Sequence, residues 1–299
     1  MTSVVRGVLS AAAAALGTEA VRRSLRAAPP GGTERWTRTN HRGEPISLTA
    51  GPAATAGLVL GVLVGGSSSR ERFAASLATT AAGAFGLLDD LAEDTTTRTK
   101  GLRGHLGALA RGTVTTGGLK VLGISGLSLV SAALLTDGSA RGPASRSART
   151  MDAITAGALI AGTANLVNLL DLRPGRARKA VVLAALPLTA TAGSALATSV
   201  IGAAAAGFPQ DLAEQDMLGD AGANALGALL GAAVVVGTSR PVRRALLAGV
   251  LALTIASEKV SFSAVIDRTA GLRELDGWGR RPARLVSTTP ADEAGERTP

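Results

Sequence analysis

Asp89 and Asp90 stand side by side at the end of an uncharged run, residues 73–88. Adjacent carboxylates repel each other unless a cation sits between or beside them. At membrane depth each charge costs at least about 2.5–3.5 kcal/mol on insertion scales. A Mg²⁺ ion offsets that cost, because it takes one or two carboxylates and fills its other positions with water and substrate phosphate oxygens. The plain alternative is a helix end capped by solvated acids, and the pair alone does not decide. Asn165, Asn168 and Asp171 recur at a spacing of three, which places them on one face of a helix near its end. Two amides in an otherwise apolar helix need partners, from a ligand or from a neighbouring helix. Arg173, Arg176, Arg178 and Lys179 follow at once, suited to phosphate groups or to ordinary topology signalling. A third acid, Asp220, lies between small residues just before another apolar run. There it can serve as a helix cap or as a ligand beside a helix N-terminus, whose partial positive charge favours phosphate.

These residues need rigid elements to carry them, and the sequence supplies apolar helices. Of 299 residues 46% are hydrophobic, and long blocks hold no charge: 46–66, 73–88, 153–170, 180–210 and 221–239. A bilayer core of about 30 Å takes about 20 apolar residues per helix, and at this length only helices satisfy their backbone in lipid. A soluble fold would need several fully buried helices in one small domain. The expectation is an all-α, polytopic helical membrane protein with about nine transmembrane helices, near 2–20, 46–66, 72–88, 112–135, 151–170, 179–193, 194–209, 221–239 and 244–257. The last is short and either spans or lies in the interface. Residues 1–262 form the membrane domain. Residues 263–299 form a cytoplasmic tail, expected to be disordered from about 282. The N-terminal run is followed by Arg22, Arg23 and Arg26, which reads as an uncleaved first helix. Gly57, Gly61 and Gly65, and likewise Gly227 and Gly231, have the spacing that lets membrane helices pack closely.

With the N-terminus outside, the inner loops hold 21 Lys and Arg and the outer ones 9, with Lys120 inside a helix. That bias puts the loops bearing the acidic motifs in the cytoplasm, in a plasma membrane protein of multi-pass type. The net charge of +9 then reflects basic loops facing anionic lipid, not nucleic acid. The absence of Cys excludes disulfides and thiolate chemistry, and two His argue against a His-built metal site. Lys120 is the one ionisable residue well inside an apolar segment, too little to define a transport pathway.

The ordered set resembles the polyprenyl-phosphate N-acetylhexosamine-1-phosphate transferases, which start peptidoglycan and other wall polymers. It consists of a basic N-terminal loop, Asp89-Asp90 with Lys100 beyond, Asn165-x-x-Asn168-x-x-Asp171, then Gly219-Asp220-x-Gly222 before a helix. The resemblance covers residues 35–231. It implies that Asp89, Asp90 and Asp220 are catalytic and hold Mg²⁺. Asn165, Asn168, Asp171 and Lys100 would contact substrate, with Arg173 and Arg176 on phosphate. It further implies that polyprenyl phosphate attacks the β-phosphate of a nucleotide-sugar, expected to be a UDP-sugar, so that UMP leaves and a lipid-linked diphosphosugar remains. Phosphoryl transfer of this kind rests on positioning and charge neutralisation. The implied partners are polyprenyl phosphate, the nucleotide-sugar and the bilayer, with a homodimer left open.

Two departures accompany the resemblance. Pro174 stands where the family carries a second Asp, and no His follows Asp220 where the family has a His-rich loop. Pro offers neither N–H nor charge, so loop 171–176 is expected to favour phosphate over the nucleobase. The alternative function is a divergent paralogue without turnover that binds polyprenyl phosphate or envelope-assembly partners.

Overall fold

The structure is a computed structural model of the 299-residue chain, and it describes residues 2–92, 116–137 and 145–282. Twelve helices appear among them. They are α1 Ser3–Ala27, α2 Ala50–Gly65, α3 Ser69–Ala92, α4 Thr116–Asp137, α5 Arg146–Leu170, α6 Arg176–Ala185, α7 Ser194–Ala206, α8 Phe208–Leu212, α9 Gly219–Gly237, α10 Arg240–Ser257, α11 Phe262–Arg268 and α12 Ala270–Gly277. Two three-residue strands, β1 Thr37–Thr39 and β2 Pro45–Ser47, form an antiparallel hairpin between α1 and α2. The fold is all-α apart from this hairpin. Four helices (α1, α4, α5 and α9) are long and apolar enough to cross a membrane, or five spans if the α10–α11 pair, bent by 96°, counts as one.

Helix α9 is the axis of the bundle: most of its residues are buried, and α2, α3, α5 and α7 pack around it. The core is built from Ala, Gly, Leu and Val, while large apolar side chains such as Leu16, Leu63, Phe73, Met151, Leu251 and Ile255 point outward. That inversion suits a lipid surroundings, where association rests on close backbone approach. Gly57 shows how close the approach is. A Cβ there would lie 2.0 Å from Thr18 Oγ1 and 2.5 Å from the Ala14 carbonyl oxygen. Gly61 and Gly65 face α1 and α7 in the same way, and Gly227 and Gly231 sit against Thr163 and Ile160 of α5. The Ser10 hydroxyl ties three helices, with the Gly61 and Ala195 carbonyls at 2.8 and 2.7 Å and Ser199 Oγ at 2.6 Å.

The long uncharged run 180–210 breaks at a 3-10 turn, Leu186–Ala190, followed by Thr191–Gly193. Pro187 at the start of that turn and Gly193 against the Ala233 carbonyl locate the break. The expected C-terminal tail carries α11 and α12, which fold back onto α6, where Asp276 meets Arg176 and Ser263 accepts from it.

Candidate functional site

One end of the bundle gathers the ends of α1, α3, α5 and α7, the starts of α2, α4, α6 and α9, the hairpin and α12. Ion pairs and main-chain bonds lock it. Arg22 at the end of α1 reaches Asp216, which is 1% exposed. The hairpin is joined to the segment before α9 by Ser47 N–H to the Gln215 carbonyl (3.1 Å) and Met217 N–H to the Ser47 carbonyl (2.8 Å). Arg42 pairs with buried Glu214 at 2.9 Å.

Asp89, Asp90 and Asp220 meet here, although some 130 residues separate them in the chain. Asp90 turns its carboxylate to main chain. Its two carboxylate oxygens accept the backbone N–H groups of Asp220 and Ala221, each at 2.9 Å, and so cap the first turn of α9. Gly219 makes this possible, with φ of +58° and a Cβ position that would fall 2.8 Å from Asp90 Oδ2. Gly86 lets α3 approach the Asp220 carbonyl equally closely. The cation beside the acids is Lys120. Its ammonium donates to Asp89 Oδ2 at 2.7 Å and to Asp220 Oδ2. Lys120 lies in the first turns of α4. A charged residue in an apolar run was its only sequence signal.

Among the described residues no group of three or more His, Cys, Asp or Glu is arranged to hold a metal ion. Asp89 and Asp220 do present two carboxylates to one point, the donor number Mg²⁺ uses beside phosphate oxygens. The Lys120 ammonium stands at that point. A metal held by this pair therefore requires Lys120 to turn away, and Asp90 contributes by positioning α9.

The other expected residues divide by location. Asn165 is exposed and Asn168 half-buried on α5, and Asp171 closes that helix as its C-cap. Burial first, and the Asp211 carboxylate next, push the Asp171 carboxyl well above the ordinary carboxylate range. Arg173 is largely free, with Asp267 at 3.6 Å as a loose partner. Arg176 is buried: Nε and Nη2 donate to Asp276 at 2.7 and 3.0 Å, and Nη1 donates to Ser263 Oγ at 2.9 Å. Arg178 is fully buried against Asp211 at 2.7 Å. Most donors of these two arginines are thus engaged within the protein. Lys100 lies outside the described residues. Asp211, Glu214, Asp216 and Asp276 escaped sequence reasoning. Four acids in ten residues, Asp211 to Asp220, close a run of 31 uncharged residues, and that contrast was the available signal.

Two connected clefts open beside these groups. The inner one, about 230 Å³, runs from Asp171 and Asp211 to Thr39, Ile46 and Met217. The outer one, about 540 Å³, shares His41, Arg173, Pro174 and Glu214 with it. No family model matches the chain, and no curated protein matches its sequence.

Proposed function

We propose that this chain is a multi-pass plasma membrane protein of cell-envelope biosynthesis, with phosphoglycosyl transferase-like activity on polyprenyl phosphate. In this reading about nine segments span the bilayer, the N-terminus is outside, and the acidic end faces the cytoplasm. The observation that carries it is the meeting of Asp89, Asp90 and Asp220 at one end of an apolar bundle, with Asp171 and Arg173 on a loop at the same end. Those are the residues the ordered motifs single out, and nothing in their sequence spacing forces them together.

The phosphate oxygen of the lipid attacks the β-phosphorus of a UDP-sugar. The bond to the UMP oxygen breaks, and UMP leaves with the electron pair. Lys120 neutralises the crowded carboxylates and is the nearest cation to a phosphate placed there. Arg173 offers a planar pair of donors to the diphosphate. Asp90 holds the first turn of α9 and with it Asp220. When bound, Mg²⁺ would be held by Asp89 and Asp220, with Lys120 turned from them toward the phosphate, and would neutralise charge on the diphosphate oxygens.

The test is transfer from radiolabelled UDP-sugars to polyprenyl phosphate in membranes carrying the protein. Wild type should form a lipid-linked product, and Asp220→Asn should abolish it at unchanged membrane level. Wild-type membranes that give no product with any donor of a broad panel would overturn the transferase reading. One observation favours a second reading, a paralogue that binds polyprenyl phosphate without turnover: Lys120 already satisfies Asp89 and Asp220. That reading predicts lipid phosphate binding that Lys120→Met weakens, with no product in either protein.

A further inference from the structure

We propose that the outer cleft, between the β1–β2 turn, loop 171–175 and the segment after α12, is a binding site for a phosphate-bearing group, a phosphomonoester or a diphosphate, held by Arg173 and Arg280. The proposal deepens the reading above, in which Arg173 meets the diphosphate, and rests on it for that residue; binding at the cleft is read without turnover, so its failure is distinct from a failure of transfer.

The cleft has the volume of a small-molecule site, about 540 Å³. His41, Arg42, Arg173, Arg280 and Arg281 line it, with Glu214 the one carboxylate among its lining residues. Glu214 is occupied by Arg42 at 2.9 Å and by Asn40 Nδ2 at 2.9 Å. Arg281 is paired with Glu44, at the rim. Behind the wall, one carboxylate serves two guanidiniums: Asp276 binds Arg176 in bidentate fashion and also meets Arg280. The Lys179 ammonium adds a third cation, resting on the carbonyls of Leu275, Asp276 and Trp278. This crowding registers on Arg280, whose affinity for its proton is lowered by burial first and then by Arg176 and Arg173. Among the described residues Arg173 meets Asp267 alone, at 3.6 Å, both side chains being about half exposed. The surplus positive charge therefore faces the cavity, at two guanidiniums from different segments. A dianionic phosphate would relieve it, and the fork of each guanidinium matches phosphate oxygens.

Such a group can come from a soluble nucleotide or from a lipid headgroup, and one experiment separates them. The full chain is reconstituted in nanodiscs of phosphatidylcholine, and in discs that also contain phosphatidic acid. Inorganic pyrophosphate is titrated and followed by calorimetry, with potassium chloride at equal ionic strength as control. Saturable binding in phosphatidylcholine discs is expected, weakened about tenfold in Arg173→Gln and in Arg280→Gln, the loss of one charge-assisted contact each. Arg173→Lys should recover part of it. Arg173 is exposed enough that its variants test binding even where Arg280→Gln loosens α12. Unchanged pyrophosphate binding in phosphatidic acid discs assigns the cleft to soluble phosphates, and weaker binding there assigns it to headgroups. Either supports the site. Absence of saturable binding in phosphatidylcholine discs overturns the proposal, as does binding that survives the loss of Arg173 and of Arg280 undiminished.

Discussion

Arg178→Met should be among the most damaging single changes at this end of the protein. Arg178 is fully buried, and the chain is wrapped around it: a Cβ on Gly207 would lie 2.4 Å from the guanidinium. Its Nε donates to Asp211 at 2.7 Å, and its Nη1 reaches the carbonyls of Ala203 and Ala204 at 3.4 and 3.2 Å, at the last turn of α7. Asp211, 4% exposed, also accepts the Gly175 N–H at 3.2 Å, which holds the loop bearing Asp171 and Arg173. Met fills much of the arginine stem's volume but leaves the Asp211 carboxylate buried without a counter-charge. Breaking a buried pair from one side costs about 3–5 kcal/mol. Replacing both partners by apolar groups is often neutral, so Arg178→Met/Asp211→Leu should recover most of the loss, less about 1 kcal/mol for the Gly175 N–H. Equilibrium unfolding in detergent micelles, run as a double-mutant cycle, reads these terms. A single mutant within about 1 kcal/mol of wild type, or a double mutant as unstable as the two single losses added together, would refute the assignment of this pair as the clamp of the loop.

Three further outcomes are expected. Gly57→Ala should destabilise the protein by about 1–3 kcal/mol through collision with Thr18, whereas Gly126→Ala, whose Cβ meets nothing within 4 Å, should be neutral or slightly stabilising in the same unfolding assay. The raised Asp171 carboxyl makes the folded state bind more protons than the unfolded state between the two pKa values. Its contribution is thus fully present below the unfolded value and is lost as pH rises through the folded one. Asp171→Asn should flatten that fall in melting temperature, and an unchanged pH profile would contradict the burial argument. Single Cys residues are readily introduced because the chain has none; those at His41 and Arg281 should react with an impermeant reagent only after cell lysis, and one at Arg149 before it.

The helices were legible because charge-free length is a one-dimensional signal. The break at Pro187 and Gly193 and the close packing at Gly57 were legible for the same reason, since each depends on residues near in sequence. The meeting of Asp89 with Asp220 was suggested only by motif order. That Lys120 would lie between them was not legible, because its partners come from α3 and α9 and no local pattern announces a pairing across the bundle. The capping role of Asp90 was hidden too. A carboxylate at a helix end looks alike whether it faces water, metal or the N–H groups of another helix. Arg176 and Arg178 shared the charge and spacing of Arg173, yet their carboxylates, Asp276 and Asp211, come from elements that only the fold brings near.

This last contrast bears on what the basic residues do. Counting Lys and Arg treats every charge at the acidic end as alike, but the fold spends them unequally. Arg22 is shared by Glu19 and Asp216, and Arg42 is committed to Glu214, Arg176 to Asp276 and Arg178 to Asp211. Each pair joins a segment that spacing alone would leave loose, and together the pairs close the polar end. A carboxylate buried without such a partner would carry a large desolvation cost. Among the described cations a few stand differently: Lys120 lies between Asp89 and Asp220, Arg173 is about half exposed, and Arg280 shares Asp276 with Arg176 at the outer cleft. Lys120, Arg173 and Arg280 are therefore the described cations through which a phosphate ligand is expected to act at this end.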